Sequence, residues 1–599
     1  MYIRKRILVS LSVAFVLNTS VSLAQTQVPS NIDILPPIYS LLMSDELNES
    51  SIVNAVINPS RTDCASPCTV VFSADKTTAQ GLDSHGIWSQ LSYHWDFDTD
   101  ETDTFGSLYD QTYTYVNGDT AYEKGHVPMV TKTFLCETGT CAYNVGMRAQ
   151  NAAGEFNDDF VVITVKSESS QWSVAQTICV SNTLDISSDW TNFSKACPLG
   201  AIKQASLPLP DQFDGKLVLV KRGDVFDADD ISPARRLAIQ NGQSNYKIGN
   251  FGNGSDPFPD IQAIVNSGIA TYQMSAGVIT SINPRPRDSD VAVNGWTSNA
   301  YFEGLRIGGF NFPESFRHIG LHDIDMDMET SPVIDGGRIG FSGGVRCTDH
   351  PTFLDCANVP FPKGGYISKV DVVGGTTAET NSGTGLNVAG IGCSMVNFTG
   401  IVDSQFRKAA EHNLRIMGWW RINLMRNFFR GEHYAPVKQK VTLRGCFDDD
   451  LDAGLWQSVS DLPANWQTDP EGRTRADTFL DNGTDQYAHT NRYQVVAGNV
   501  MGDASILGSR TGGTQYQTNA SSGDQPTFLD IVLTQNTFVN DGDRTSGSNI
   551  SASAHYIMCV DNTYSTPSIG CFPSQLESRF PGSFREPTPI QPPLLPGSL

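Results

Sequence analysis

The sequence predicts an all-β protein: a small Ig-like antiparallel sandwich, then a long right-handed parallel β-helix. Three features of the chain point there. Short runs rich in Val, Ile, Phe and Tyr are separated throughout by clusters of Gly, Asn and Asp, the alternation of strand and turn chemistry. Helical periodicity is scarce, with residues 231–240 and 403–410 as the helix candidates. From about residue 170 onward, apolar residues lead repeatedly to an asparagine and then another apolar residue. Examples are Leu424-Met-Arg-Asn-Phe-Phe429, Val495-Val-Ala-Gly-Asn-Val500 and Leu533-Thr-Gln-Asn-Thr-Phe538. Irregular repetition of this kind marks stacked coils, none of which buries its inner face alone. In such coils asparagine belongs at the sharp turn, where its side chain bonds backbone and the residue tolerates the left-handed region.

The 599 residues exceed what one hydrophobic core supports, and the chain divides by texture. Arg4-Lys5-Arg6, an apolar run from Ile7 to Leu17 and Ser22-Leu23-Ala24 describe a secretory signal over 1–24, too short to span a bilayer. Residues 25–50 read as a linker. Residues 51–167 hold the short strands of the sandwich, including Cys68-Thr-Val-Val-Phe72 and Phe160-Val-Val-Ile-Thr-Val165. Residues 170–586 form the β-helix, and 587–599 are a proline-rich tail.

Two stretches carry family resemblances. Tyr93-His-Trp-Asp-Phe97, followed by Asn144-Val-Gly-Met-Arg-Ala-Gln-Asn-Ala-Ala-Gly154 and a Val/Ile strand, resembles the polycystic-kidney-disease (PKD) domain. Trp95-Asp96-Phe97-Asp98-Thr99-Asp100 lacks that family's glycines. The resemblance implies a structural spacer, or less readily a glycan-contacting module. Gly215-Lys-Leu-Val-Leu-Val-Lys-Arg-Gly-Asp-Val-Phe226 and Ile248-Gly-Asn-Phe-Gly-Asn-Gly254 resemble the opening coils of pectate-lyase-like β-helix proteins.

Formal charge is −23, which repels nucleic acid and anionic membrane, and no later segment is apolar enough to span a bilayer. A local basic cleft still permits an anionic substrate. The twelve cysteines suggest neighbouring disulfides, Cys64/Cys68, Cys136/Cys141, Cys179/Cys197, Cys347/Cys356 and Cys559/Cys571, with Cys393/Cys446 as a longer pair. Zinc is disfavoured because no Cys-x-x-Cys doublet has a matching partner. The expectation is a secreted, extracellular monomer, with the periplasm as the alternative compartment.

The candidate site is the basic window 411–444, which contains His412, Arg415, Trp419, Trp420, Arg421, Lys438, Lys440 and Arg444. With 413–416 and 441–444 as strands of successive coils, Arg415 and Arg444 would stand about 5–10 Å apart on one face. Lys438 and Arg421 would line the groove as substrate contacts, and Trp419 and Trp420 would stack on sugar rings. Such a groove suits β-elimination from a uronate chain, because fixed cations neutralise the carboxylate as negative charge develops. His412 or Lys440 is chemically an easier base than arginine, whose pKa lies above about 12.

The same window resembles the catalytic coils of polysaccharide lyase family six, which includes chondroitinase B and alginate lyases. Val441-Thr-Leu-Arg444 matches that family's acid motif and makes Arg444 the implied acid. Arg415 or His412 stands where the family carries its lysine base. The family's acidic ligands for Ca²⁺ are not clearly present, Glu411 being the only nearby candidate, so Ca²⁺ stays an open cofactor and no metal ligand is assigned.

The favoured reading is a secreted lyase acting on an acidic polysaccharide. Its alternatives are a β-helix glycoside hydrolase using paired carboxylates and a non-catalytic glycan-binding or surface protein. Asp323, Asp325 and Asp327 alternate with Ile324, Met326 and Met328. They offer carboxylates to calcium or to hydrolysis, but an ordinary half-buried strand accounts for them better. No nucleophile elbow, phosphate loop or zinc-protease motif is present.

Overall fold

The repeated apolar-Asn-apolar runs become the corners of a right-handed parallel β-helix. The computed structural model describes residues 53–82, 84–97, 112–114, 120–122, 127–151, 153–208, 212–226, 238–239, 244–261, 278–281, 297–307, 309–312, 316–327, 339–341, 363–373, 386–387, 396–407, 413–416, 420–430, 437–441, 479–481, 487–489, 491–502, 514–520, 528–539, 546–549, 554–560 and 562–564. All of them belong to one unit, Ile52–Leu599. The signal, the linker and the proline-rich tail expected from the sequence lie outside the described residues.

Each coil contributes to three parallel faces. One face stacks strands such as Leu217–Lys221, Ser244–Phe251, Asn397–Val402, Trp420–Met425 and Asn491–Ala497. An adjoining face stacks Gln405–Arg407, Phe428–Arg430, Val500–Gly502 and Thr537–Val539. Strands that round the corner, such as Lys363–Val373, join these two into a 19-stranded sheet. The third face is a separate 9-stranded sheet running from Ala238–Ile239 to Ser546–Asn549.

Alternation fills the interior. Ile319, Leu321, Ile367, Ile401, Ile422, Leu424, Val496 and Leu533 belong to one continuous buried cluster with Phe406, Leu414 and Phe429. Burying one such side chain contributes about 1.5–3 kcal/mol, which is why the inward positions are consistently apolar.

The corner between the first two faces explains the asparagines. Asn427, Asn499, Asn536 and Asn562 are buried one above another. The Oδ1 of each later asparagine accepts from the backbone N–H and Nδ2 of the one before it at 2.9–3.1 Å. Their Nδ2 groups also donate to strand carbonyls, as Asn499 does to Leu424 at 2.9 Å. The ladder therefore satisfies backbone groups that the bend removes from sheet pairing. One detail corrects the expectation: the left-handed residue is the one preceding the asparagine, Arg426 (φ 56°), Gly498 (φ 63°) or Gln535 (φ 55°). Asn562 belongs to the same ladder, after the strand Ala554–Val560.

Both helix candidates are overturned where they are described. Gln405–Arg407 is a strand of the adjoining face, and Ala238–Ile239 is a strand of the third face; residues 231–237, 240 and 408–410 lie outside the described residues. At 403–407 the chain turns a corner, with Asp403 at φ 52°, and Phe406 enters the interior cluster. Stacking against neighbouring coils outweighs local helix preference.

The sandwich pairs a four-stranded sheet with a three-stranded sheet containing Cys68–Ser73 and Met129–Phe134. The Trp95-Asp96-Phe97 run begins within its edge strand Ser92–Asp96, and Trp95 Nε1 donates to Val127 O at 2.8 Å. The disulfides Cys64–Cys68, Cys136–Cys141 and Cys179–Cys197 form as expected. The other proposed pairs involve residues outside the described set. No described helix is long and apolar enough to cross a membrane.

The sandwich is not a free spacer. Its core is continuous with the outer surface of the first face: Val70, Phe72, Met129 and Val130 share one buried cluster with Tyr366, Phe398, Trp420, Met425 and Val495. That contact explains why Trp420–Met425 is buried at every position. Ile422 and Leu424 fill the helix interior, while Trp420 and Met425 pack under the sandwich. Gly400 lets the two bodies approach, because a Cβ there would stand 2.6 Å from Thr131 Cγ2 and 3.0 Å from Val71 Cγ2. We refer to this side of the helix as the covered face.

Candidate functional site

The covered face is rich in charge and aromatic rings, yet its polar groups are used internally. Arg61 of the sandwich donates to Tyr301 OH at 3.0 Å and lies 4.4 Å from the ring centroid of Tyr366. Tyr366 OH donates to Ser60 Oγ at 2.8 Å. Lys247, only 1 % exposed, donates to Ser66 O and pairs with Glu168 at 2.7 Å and with Glu303. Burial alone would lower the Lys247 ammonium, but the two carboxylates push it up to about 12. Burial would likewise raise Glu303, and Lys247 instead holds it at about 2. These are structural ion pairs beneath a cover.

Two residues expected in the groove belong to this covered region, which corrects their assignment. Arg421 is 1 % exposed and pairs with Asp75 of the sandwich at 2.5 Å. It also donates to Asn397 Oδ1 at 2.9 Å and lies 4.7 Å from the ring of Phe398. Trp420 is 4 % exposed and meets Tyr493 edge to face. Neither has a surface left for a sugar, because the sandwich occupies it.

The adjoining face is more open, but its described charges are matched. Arg407 Nη2 lies 2.6 Å from Asp371 Oδ2, Gln405 Nε2 donates to the same aspartate at 3.4 Å, and Arg426 pairs with Asp403 at 2.6 Å. Asp325 lies 3.8 Å from Arg306. Ile324 and Met326 point into the interior, so the 323–327 run behaves as the half-buried strand its alternation describes. Asp325 and Asp371 are also register partners on neighbouring coils.

The third face differs in composition. None of the nine strands of its sheet contains an aspartate or glutamate, whereas Arg415, Lys438 and Lys440 all lie on them. Leu414–Ile416 and Val437–Val441 are adjacent strands, with Leu414 paired to Val437, Arg415 to Lys438 and Ile416 to Gln439. Leu414 is fully buried in the helix interior. Arg415 and Lys438 therefore share the register position beside an inward column, on rungs ~4.8 Å apart. Lys440 lies two positions further along the same strand and pairs with Asn519.

This register revises the expected partner. Lys438, not Arg444, is opposite Arg415, because the strand begins at Val437 and not at Val441. The readable signal was the apolar pair Leu414 and Val437, which must align when coils stack. His412, Trp419 and Arg444 lie outside the described residues, as does Glu411. Among the described residues no group of three or more His, Cys, Asp or Glu side chains is placed to hold a metal ion.

No protein-family model matches the chain, and no curated protein matches its sequence. Among solved structures it is similar to the mannuronan C-5 epimerase A-module of Azotobacter vinelandii, at 10 % identity and TM-score 0.27, over 66 % of this chain and 91 % of that one. It is similar to the family 28 exopolygalacturonase of Yersinia enterocolitica, at 9 % identity and TM-score 0.31, over 90 % and 97 % respectively. A third likeness is to the lacto-N-biosidase of Eubacterium ramulus, at 10 % identity and TM-score 0.29, over 66 % and 62 %. The β-helix itself is defined by the parallel register of its own strands.

Proposed function

We propose that the protein is a secreted lyase that cleaves an acidic polysaccharide by β-elimination on the third face. The observation that carries this reading is a sheet without acidic residues, bearing cations on neighbouring rungs, in a chain of net charge −23. A uronate carboxylate at Arg415 and Lys438 would meet fixed positive charge as the adjacent C–H loses its proton, and preorganised charge of this kind lowers the barrier most. Lys440 or His412 takes the proton, and Arg444 returns one to the leaving oxygen. The covered face supports the choice by elimination, since the sandwich already fills it.

The test is incubation of full-length protein with uronate polymers while following the ultraviolet absorbance of the unsaturated product. Activity that Lys438→Ala and Arg415→Ala abolish, with the melting temperature unchanged, supports the reading. Full activity in both variants refutes the site.

A second reading rests on Asp325 and Asp371, register partners on neighbouring coils of the adjoining face. Their ~4.8 Å rung spacing approaches the ~5–5.5 Å carboxyl separation of retaining glycosidases. New reducing ends without the unsaturated chromophore would select this reading. Polymer retention without shortening would select a binding protein.

A further inference from the structure

We propose that the outer sheet of the sandwich carries a glycan-binding site of its own, in which Phe156 and Phe160 stack on uncharged sugars of one polysaccharide chain and Asn144 and Gln150 hydrogen-bond its hydroxyls. The site does not depend on the third-face reading. The three-stranded sheet of the sandwich packs against the covered face, where its Val71 and Thr131 approach Gly400. The four-stranded sheet therefore turns its outer side away from the helix. Val145, Met147, Ala149, Ile163 and Val165 of that sheet fill the sandwich core. Alternation sends Phe156, Phe160 and Val162 of the strand Phe156–Lys166 the other way. They are 53 %, 55 % and 53 % exposed. Their register partners on the strand Thr140–Gln150 are Gln150, Gly146 and Asn144.

The chemistry of the stripe fits a sugar chain. The Arg148 guanidinium lies 3.9 Å from the centroid of the Phe156 ring and is fixed there by two hydrogen bonds to Asp158, at 2.7 and 2.8 Å. Ring and cation are thus held in place before any ligand arrives, which lowers the ordering cost of binding. The same pair cancels the charge between the two rings, so this stretch offers apolar surface and amides and no net charge for a carboxylate. Phe156 and Phe160 are four residues apart on one strand, about 14 Å, and a single extended chain can rest on both. The C–H faces of pyranose rings cover aromatic rings, while their hydroxyls need groups that donate and accept, as amides do. Gly146 sets no side chain opposite Phe160, so that ring is approachable from the neighbouring strand. A second protein is the poorer occupant. Three half-exposed side chains offer about 300 Å², against the ~800 Å² per partner of a standard protein interface.

The test is affinity electrophoresis of full-length protein through gels containing hydroxyethyl cellulose, galactomannan or xyloglucan, all uncharged, with polygalacturonate as the charged control. Retardation by at least one uncharged polymer is expected, and it should persist when salt is raised, because stacking is not screened. Phe156→Ala combined with Phe160→Ala should weaken that binding at least tenfold, and Asn144→Ala several-fold, at the parent melting temperature. Should the double variant melt lower, Phe160→Ala alone, which spares the Arg148 contact, carries the test with the same expected direction. Phe156→Tyr combined with Phe160→Tyr keeps both rings and should keep the binding. No retardation by any uncharged polymer overturns the inference, as does full binding in the alanine variants. A concentration-dependent dimer in sedimentation that Phe160→Ala abolishes also overturns it, giving the face to a second copy. Lys438→Ala should leave the retardation unchanged. Loss of retardation in Lys438→Ala would move the binding to the third face and sink the sandwich site alone.

Discussion

The guanidinium of Arg421, on a coil of the helix, donates to Oδ2 of Asp75 in the sandwich at 2.5 Å, across 346 positions of sequence. Their side chains are 1 % and 3 % exposed. Burial would raise the Asp75 carboxyl, but Arg421, with help from Ser73 and Asn58, holds it well below the usual carboxylate range. The pair ties one body to the other at the covered face.

Removing either partner leaves the other charge buried. Asp75→Ala and Arg421→Ala are each expected to cost about 3–5 kcal/mol. The double variant should cost clearly less than the sum, because it leaves neither charge stranded. Denaturant unfolding of the four proteins measures the coupling, and simple additivity would argue against a direct pair.

Gly400 tests the fit of the same interface without touching a charge. Gly400→Ala places a methyl group against Thr131 and Val71. It is expected to destabilise by about 1–3 kcal/mol, the usual cost of overpacking. Thr131→Ala in the same chain should recover part of that loss by clearing the nearest obstruction.

The asparagine ladder makes a separate prediction. Asn499→Ala removes donors to Leu424 O and Asn536 Oδ1 and the acceptor for the Asn427 N–H. Each buried group left unmade costs about 1–3 kcal/mol. Hydrogen exchange should quicken first at the 427 and 536 corners. Exchange that rises equally at all three faces would contradict a ladder acting locally.

Stability should fall on the acid side earlier than carboxylates alone require. Burial, chiefly, lowers His322 to about 4 from an ordinary 6.5. Between those values the unfolded chain binds a proton that the folded chain refuses, so stability rises with pH in that window and is lost as pH drops through it. The effect amounts to roughly 3 kcal/mol. Glu303, held at about 2, adds a further loss as pH falls below its ordinary value near 4.5. Lys247, raised to about 12, adds one as pH rises beyond 10.5. Unfolding series at stepped pH should show His322→Gln reducing the slope of the 4–6.5 segment, the remainder coming from His318, which burial also holds well below its ordinary value.

Cations from one window should separate by readout. Arg415→Ala and Lys438→Ala are expected to remove activity and spare stability, while Arg421→Ala does the reverse at matched folded protein. Loss of activity in folded Arg421→Ala equal to that of Lys438→Ala would move the site to the covered face.

What the sequence determined by itself is the coil. Alternating apolar residues ending in asparagine specify an inward stripe and a corner, and each coil repeats the message to its neighbours. The local signal and the long-range contact agree, which is why the β-helix was legible at Leu424–Phe429 and Leu533–Phe538. The three described disulfides, each between near neighbours, were legible for the same reason.

Which outward residues the sandwich covers was decided only by tertiary structure. Arg415 and Arg421 are six positions apart and chemically identical, and alternation says only that a residue leaves the interior. One lies on an acid-free sheet; the other is sealed under Asp75 and Phe398 by a domain folded from a distant part of the chain. Register is equally non-local. Lys438 stands opposite Arg415 because Leu414 is in register with Val437 on the next coil, a choice made by packing between coils and invisible within either strand alone.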